Sequence, residues 1–144
     1  MATKTVQTHE RGQSLTELAV MMTFLLVLLA GTVDLGRAFF TYITLRDAAQ
    51  EGALCGSVGA EDCPDIDYRV RHSSKQNWVS LNDPGLVEVV DTLPADACAG
   101  DEVRVTVSYN DFPLTMPFLG ALVGTQSVDI SASVADTVLT PTCP

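Results

Sequence analysis

The sequence is poor in basic residues, with 8 lysines and arginines against 18 aspartates and glutamates and a net charge of −10. From Asp34 onward there are 16 acidic and 6 basic residues, so this part of the chain carries the whole net charge. A nucleic-acid-binding surface needs the opposite sign of charge. We therefore predict no nucleic-acid partner.

The sequence also lacks the common catalytic and metal-binding motifs. It has no glycine-rich phosphate loop, no H-E-x-x-H element and no nucleophile elbow. His72 stands beside Ser73 and Ser74, but neighbours along a helix do not face each other. The acidic residues 61–67 lack the spacing and central glycine of a calcium-binding EF-hand loop, and the nearest two cysteines are too far apart for a typical zinc site. We predict a non-catalytic protein with neither a cofactor nor a metal.

No charged residue occurs among the sixteen residues 18–33, between Glu17 and Asp34. As a helix this segment is about 24 Å long, slightly less than a bilayer core of about 30 Å. One or both flanking acids must therefore lie close to hydrocarbon. No proline occurs before Pro64, so the sequence predicts a helix that continues past the apolar segment.

Beyond the apolar segment the pattern becomes amphipathic. Polar residues recur at spacings of three or four, at Asp34, Arg37, Thr41, Thr44, Asp47 and Glu51. The other faces carry the apolar residues Leu35, Phe39, Phe40, Tyr42, Ile43 and Leu45. We predict one helix over residues 13–54, with a transmembrane half at about 15–36 and a projecting half.

Orientation follows from two separate features of the sequence. Lys4 and Arg11 precede the apolar segment, and basic residues beside a membrane helix tend to remain cytoplasmic. All four cysteines follow the apolar segment, and an even number favours disulfides in an oxidising compartment. We predict a single-pass protein with a cytoplasmic leader at 1–12 and an exported domain at 55–144.

A cleaved secretory signal peptide is the alternative interpretation of the apolar segment. Small residues at 30–32 offer a cleavage site, and the mature chain would then lack the helix. Glu17 at the start of the apolar core is unfavourable for such a signal. The helical pattern also continues past the cleavage site, so we favour the membrane anchor.

The sequence of the exported part predicts an α+β fold. Residues 65–81 suggest a short amphipathic helix, and residues 82–85 (NDPG) give a strong turn signal. Three segments with strand patterns follow at 86–92, 103–109 and 128–138. An antiparallel sheet of about three strands, packed against the helices, is the expected assembly.

The four cysteines allow three disulfide connectivities. If Asn110 faces Ser127 in an antiparallel pair, Cys98 falls opposite Leu139, a few residues from Cys143. We favour Cys98 with Cys143, and Cys55 with Cys63.

The connection between the last two strands, residues 112–123, is conspicuously apolar. It is too short and too proline-interrupted to span a bilayer. Folded back, it would be core or a short helix, which is the interpretation we favour. Exposed, it would form a partner or membrane-surface patch, with the residues Phe112, Leu114, Met116, Phe118 and Leu119.

A carboxylate at the edge of a short hydrophobic helix is costly unless it is paired or reaches water, so Glu17 either lies inertly among headgroups or has a function. Its surroundings resemble the processing site of type IV pilins, since residues 11–17 read RGQSLTE before the chain turns apolar. In that family a prepilin peptidase cuts after the glycine, which implies a cut between Gly12 and Gln13. The new ammonium at Gln13 would neutralise the Glu17 carboxylate of a neighbouring subunit among packed helices.

A longer resemblance, over about residues 11–53, is to the TadE-like proteins of tight-adherence pilus systems. It is carried by RG at 11–12, ELA at 17–19, the aliphatic run, GTVDLGR at 31–37 and DAAQEGA at 47–53. Members commonly have valine-glutamate-phenylalanine at the first block, where this chain has Thr16, Glu17 and Leu18.

The resemblance implies a structural minor pilin or pseudopilin in the bacterial inner membrane, from which it would be drawn into or prime a surface pilus. Its partners would be other pilin subunits, the pilus assembly machinery, a prepilin peptidase and the lipid bilayer. The main rival is a membrane-anchored extracytoplasmic binding module or enzyme, for which the helix is only an anchor. Such an anchor should tolerate glutamine at position 17.

Overall fold

The computed structural model describes residues 10–59, 63, 65–73, 79–94, 96–116 and 124–140. Its elements follow in the order helix, helix and three strands, which confirms the predicted α+β class.

The first helix, α1, runs from Glu10 to Ser57 and confirms that the apolar segment and the amphipathic segment form one element. Its 48 residues give a length of about 72 Å. The helix ends slightly later than predicted. Gly59 then adopts a φ of +86°, a left-handed conformation that glycine accepts without a steric penalty.

The second helix, α2, runs from Ile66 to Ser73. The Asp65 carboxylate caps its start, because the Tyr68 amide donates to Asp65 Oδ1 at 2.9 Å. The predicted helix over 65–81 is wrong at its end, since Val79 and Leu81 are buried in non-helical backbone. Residues 74–78 lie outside the described residues.

A turn follows at the predicted NDPG segment. Asp83 Oδ1 accepts the Gly85 amide at 2.9 Å, while the Asp83 carbonyl accepts the amides of Leu86 and Val87. Arg71 of α2 donates from Nη1 to the Leu81 carbonyl at 2.8 Å, which fixes the chain before the turn.

The strands β1 (Val87–Asp91), β2 (Glu102–Pro113) and β3 (Ser127–Thr137) form one antiparallel sheet in the order β1-β2-β3. The alternation predicted for β2 is confirmed, because Val103, Val105 and Val107 are fully buried. The sheet therefore turns one face toward the helices.

The predicted register of β2 against β3 is wrong. Pro113 faces Ser127, and Asn110 does not. β2 continues four residues past its predicted end at Tyr109, with an irregularity between Tyr109 and Phe112. Asp111 there has a φ of 56°, and its amide donates to Asp129 Oδ1 at 2.9 Å, so a side chain of β3 supports the irregular backbone.

Small residues on α1 allow the sheet and α2 to approach closely. Those at positions 48, 49, 52, 53 and 56 share one face and are all buried. A Cβ added at Gly56 would lie 2.7 Å from Val103 Cγ2, and one added at Gly52 would lie 3.2 Å from Val105 Cγ1. β2 therefore runs alongside α1 in the opposite direction, toward the apolar half of the helix.

The projecting half of α1 turns part of its polar face inward. Thr41 and Thr44 are buried, whereas Leu35, Phe39 and Phe40 are exposed. Burial of Thr44 costs little because its hydroxyl donates to the Phe40 carbonyl of the same helix at 2.9 Å. Some polar residues of this half therefore face the domain, and some apolar residues face outward.

The packing at Gly52 predicts a destabilising effect of a single methyl group. The Cβ of Gly52→Ala would lie 2.5 Å from Val70 Cγ2, and Val70 has no free space to rotate because it is fully buried. Overpacking costs about 1–3 kcal/mol and is only partly offset by about 1 kcal/mol of helix propensity. We expect a lower melting temperature for the full chain in detergent micelles, followed by circular dichroism.

Gly36→Ala is the matched control on the same helix. Nothing lies within 4 Å of its added Cβ, so only the gain in helix propensity applies. Its melting temperature should be unchanged or raised. Equal melting temperatures for the two variants would contradict the close packing at Gly52.

Candidate functional site on the long helix

By length and composition, α1 is long and apolar enough to cross a membrane, and its uncharged residues 18–33 lie in its first half. Large apolar side chains along it are each more than half exposed, at Leu15, Leu18, Val20, Met21, Met22, Phe24, Leu25, Leu26, Leu28 and Leu29. The rest of the domain therefore leaves this surface open to lipid or to other helices.

The predicted processing site lies in the first turns of α1. Gly12 and Gln13 are helical, and nothing lies within 4 Å of a Cβ added at Gly12. Glu17 is exposed, and the Gln13 side-chain amide donates to its Oε1 at 3.3 Å. The structure thus brings Gln13 and Glu17 together at the spacing of one helical turn. An ammonium formed at Gln13 would lie one turn from this carboxylate.

A second carboxylate, Asp34, marks the other end of the apolar segment and is only 5% exposed. The Thr115 hydroxyl donates to Oδ1, and the Met116 amide donates to Oδ2 at 2.6 Å. Arg37 Nη1 also lies 3.5 Å from Oδ1. Both oxygens of Asp34 therefore accept hydrogen bonds from the segment that follows β2, and Arg37 of the helix lies beside one of them.

Arg37 extends this contact to the sheet. Its guanidinium carbon lies 5.2 Å from the ring centroid of Phe112, within the range of a cation–π interaction. Phe112 is only 5% exposed. An aromatic side chain of β2 thus packs against the Arg37 side of the charge pair on α1, while Arg37 itself stays exposed.

The predicted apolar patch divides between core and surface. Phe112 is buried, Leu114 and Met116 are half-buried, and Phe118 and Leu119 lie outside the described residues. Gln126 holds the segment in place, since its side-chain amide donates to the carbonyls of Leu114 and Met116, each at 3.1 Å. The described part of the connection is therefore folded against the domain and the helix.

The Cys55–Cys63 disulfide is confirmed and joins the last turns of α1 to the chain before α2, with Cα atoms 5.4 Å apart. Cys143, the predicted partner of Cys98, lies outside the described residues, so that pairing stays a prediction. The backbone near Cys98 does approach the end of the chain, because the Gly100 amide donates to the Val138 carbonyl at 2.9 Å.

The contact of Asp34 with Thr115 and Met116 was not predicted from the sequence, which placed Asp34 in the polar repeat of the helix and close to hydrocarbon but named no partner for it. The position of Asp34 in the sequence could have indicated such a contact. An acid next to a segment long enough to enter the bilayer needs hydrogen-bond or charge partners. Among the residues that the structure describes, no group of three histidine, cysteine or acidic side chains could hold a metal ion. Asp34 accepts hydrogen bonds from donors of its own chain.

Removing the Asp34 carboxylate should reduce the local stability of the segment that follows β2. In Asp34→Ala the Met116 amide loses its acceptor, and a buried donor left without a partner costs about 1–3 kcal/mol. We expect amide hydrogen exchange at Met116 to be roughly 5- to 150-fold faster in the full chain in micelles. The exposed Asp47→Ala on the same helix is the control and should leave this rate unchanged. Unchanged exchange in Asp34→Ala would contradict an anchoring role.

Comparison with known proteins bears on this helix. Among curated proteins and solved structures, nothing matches the chain. Residues 12–54 match the family model of the TadE-like protein. The matched range begins at the predicted processing glycine, includes Glu17 and Asp34, and ends just before Cys55. The resemblance inferred from residues 11–53 is confirmed, and the match covers nearly the whole of α1.

Proposed function

We propose that this protein is a structural minor pilin or pseudopilin of a tight-adherence type IV pilus system, in which it supports pilus assembly. The observation that carries the proposal is the TadE-like match over residues 12–54, which includes Gly12, Gln13 and an exposed Glu17. The open apolar surface of α1 supports it, because an assembling helix needs a face that is free for neighbours.

In this proposal α1 spans the bacterial inner membrane with its N-terminus in the cytoplasm. The acidic domain after Ser57 then lies outside, where the oxidising environment maintains the Cys55–Cys63 disulfide. The exposed apolar side chains of the first half of α1 contact lipid before assembly. In the pilus, the same side chains contact helices of other subunits.

Glu17 supplies selectivity in assembly. A prepilin peptidase cuts between Gly12 and Gln13, and the cut leaves an ammonium at Gln13. A carboxylate transferred from water into a helix bundle is strongly disfavoured unless a cation accompanies it. The ammonium of a neighbouring subunit meets this need only in the correct axial register. Charge burial and register are thereby coupled.

The N-terminal residue and intact mass of the protein from its native cell test the processing step. We expect a chain that begins at Gln13, with a mass under nonreducing conditions that corresponds to two disulfides. A chain that begins at Met1 would remove the ammonium and contradict the charge-pairing mechanism. A chain that begins near Thr32 would contradict the pilin proposal in favour of a secreted domain.

Glu17→Gln tests the assembly step. Breaking a buried ion pair by removing one partner costs about 3–5 kcal/mol, so incorporation should fall by about two orders of magnitude or more. The measurement is the amount of this protein in sheared surface pili relative to the membrane fraction, by quantitative immunoblotting.

Asp47→Asn is the control for Glu17→Gln because it removes an exposed acid from the projecting half of the same helix. It should leave the surface amount unchanged. The rival function, a membrane-anchored extracytoplasmic binding module or enzyme, needs no charge at position 17. Normal membrane levels of both the unaltered chain and Glu17→Gln, with neither recovered in the sheared pili, would favour the rival.

A further inference from the structure

We propose that the base of the exported domain, formed by residues 112–116 and 124–126, is seated in the outer lipid interface of the membrane. The bilayer is then a binding partner of the domain as well as of α1. This inference rests on the proposed membrane insertion of α1, and the experiment below tests that insertion separately.

The length of the apolar segment carries the first step. Residues 18–33 cover about 24 Å as a helix, whereas a hydrocarbon core of about 30 Å needs about 20 residues. With Glu17 at the inner boundary, the outer hydrocarbon boundary falls near Arg37. Asp34 then lies about one turn inside this boundary.

The contacts of Asp34 show how the chain tolerates this position. A carboxylate in hydrocarbon without hydrogen bonds is strongly disfavoured. Asp34 receives the Thr115 hydroxyl and the Met116 amide, with Arg37 beside it. These partners belong to the same chain, so the carboxylate is satisfied without a second subunit. The base of the domain must lie at the depth of Asp34 to provide them.

Met116 reaches further along the helix. A Cβ added at Gly31 would lie 3.6 Å from the Met116 sulfur, so this side chain packs against the uncharged segment itself. Leu114 and Met116 are only half-buried in the protein. The remainder of their apolar surface lies at a depth where lipid is the surrounding solvent.

The opposite side of α1 supports the same depth. Leu35, Phe39 and Phe40 are 73%, 59% and 65% exposed, so the open apolar surface continues past Asp34 for about two turns. This surface is continuous with the exposed apolar residues of the first half of α1. Lipid covers both surfaces at one level, with the phenylalanines near the interface.

Fluorescence quenching by brominated lipid tests the proposal with the full chain in phosphatidylcholine vesicles. The single tryptophan, Trp78, is first replaced by phenylalanine. Single tryptophans are then introduced as Leu114→Trp and, as a second position at the base, Thr125→Trp. We expect both to lose intensity when the lipid carries bromine near the headgroup end of its acyl chains, relative to unbrominated lipid.

Two controls in the same background fix the interpretation. Val90→Trp reports the part of the sheet far from the base. Val90 pairs with Thr106, and Thr106 precedes Pro113 by seven residues, or about 23 Å along β2. It should keep its intensity. Phe24→Trp reports insertion of α1 and should be quenched. Its failure to respond would overturn membrane insertion and the proposed function with it.

If Phe24→Trp is quenched but the tryptophans at both base positions are not, the proposed contact of the base with lipid would be wrong. The proposed function would remain intact. Equal quenching of Val90→Trp and Leu114→Trp would also overturn it, because the whole domain would then lie on the membrane. A blue-shifted but unquenched base tryptophan that depends on protein concentration would assign this surface to a second copy of the chain instead.

Discussion

The single helix α1 has an exposed apolar surface along its first half and packs against the rest of the domain along its second half. The positions of the other elements follow from this change. Along its first half α1 exposes large apolar side chains over most of its surface, as a helix in contact with lipid does. Along its second half it presents a face of alanine and glycine to α2 and β2. The small residues set how closely the sheet approaches, and the sheet then directs β2 down the helix toward Asp34. The acid where the two surroundings meet is therefore supplied with donors by the end of the sheet.

The two carboxylates of α1 illustrate opposite solutions to one problem. Asp34 is paired within its own chain and is hidden from the surroundings. Glu17 is exposed and, in the proposed function, pairs with the ammonium of another subunit. A residue whose partners are internal stabilises a single fold, whereas one whose partner is external selects an assembly. The distinction explains why these acids, at equivalent ends of the apolar segment, have different roles.

Local signals were sufficient to predict much of the fold. The uncharged segment and the lack of proline predicted the long helix, and alternation predicted the buried valines of β2. The Cys55–Cys63 disulfide was predicted from an assumed pairing of the last two strands, whose register differs in the structure. The inward position of Thr41 and Thr44 could not be predicted, because hydropathy ranks threonine as polar although its hydroxyl can bond to its own helix. The end of β2 and its register depend on a contact between Asp111 and Asp129, which no local pattern encodes. For the same reason the sequence indicated that Asp34 could lie close to hydrocarbon but not which groups bind it, since its donors lie 81 and 82 residues away.

The disulfide at one end of the projecting helix and the Asp34 contact at the other fix the domain to α1 at two points. Cys55 and Asp34 are separated by roughly 31 Å along the helix axis. Within the described residues, two attachments so far apart oppose rotation of the domain about either one, so the domain follows a tilt of the helix. A tilt of α1 by about 10° would move the far end of the domain by about 5 Å relative to its base. Axial force on the N-terminal half of α1 would likewise be transmitted to the domain at both attachments.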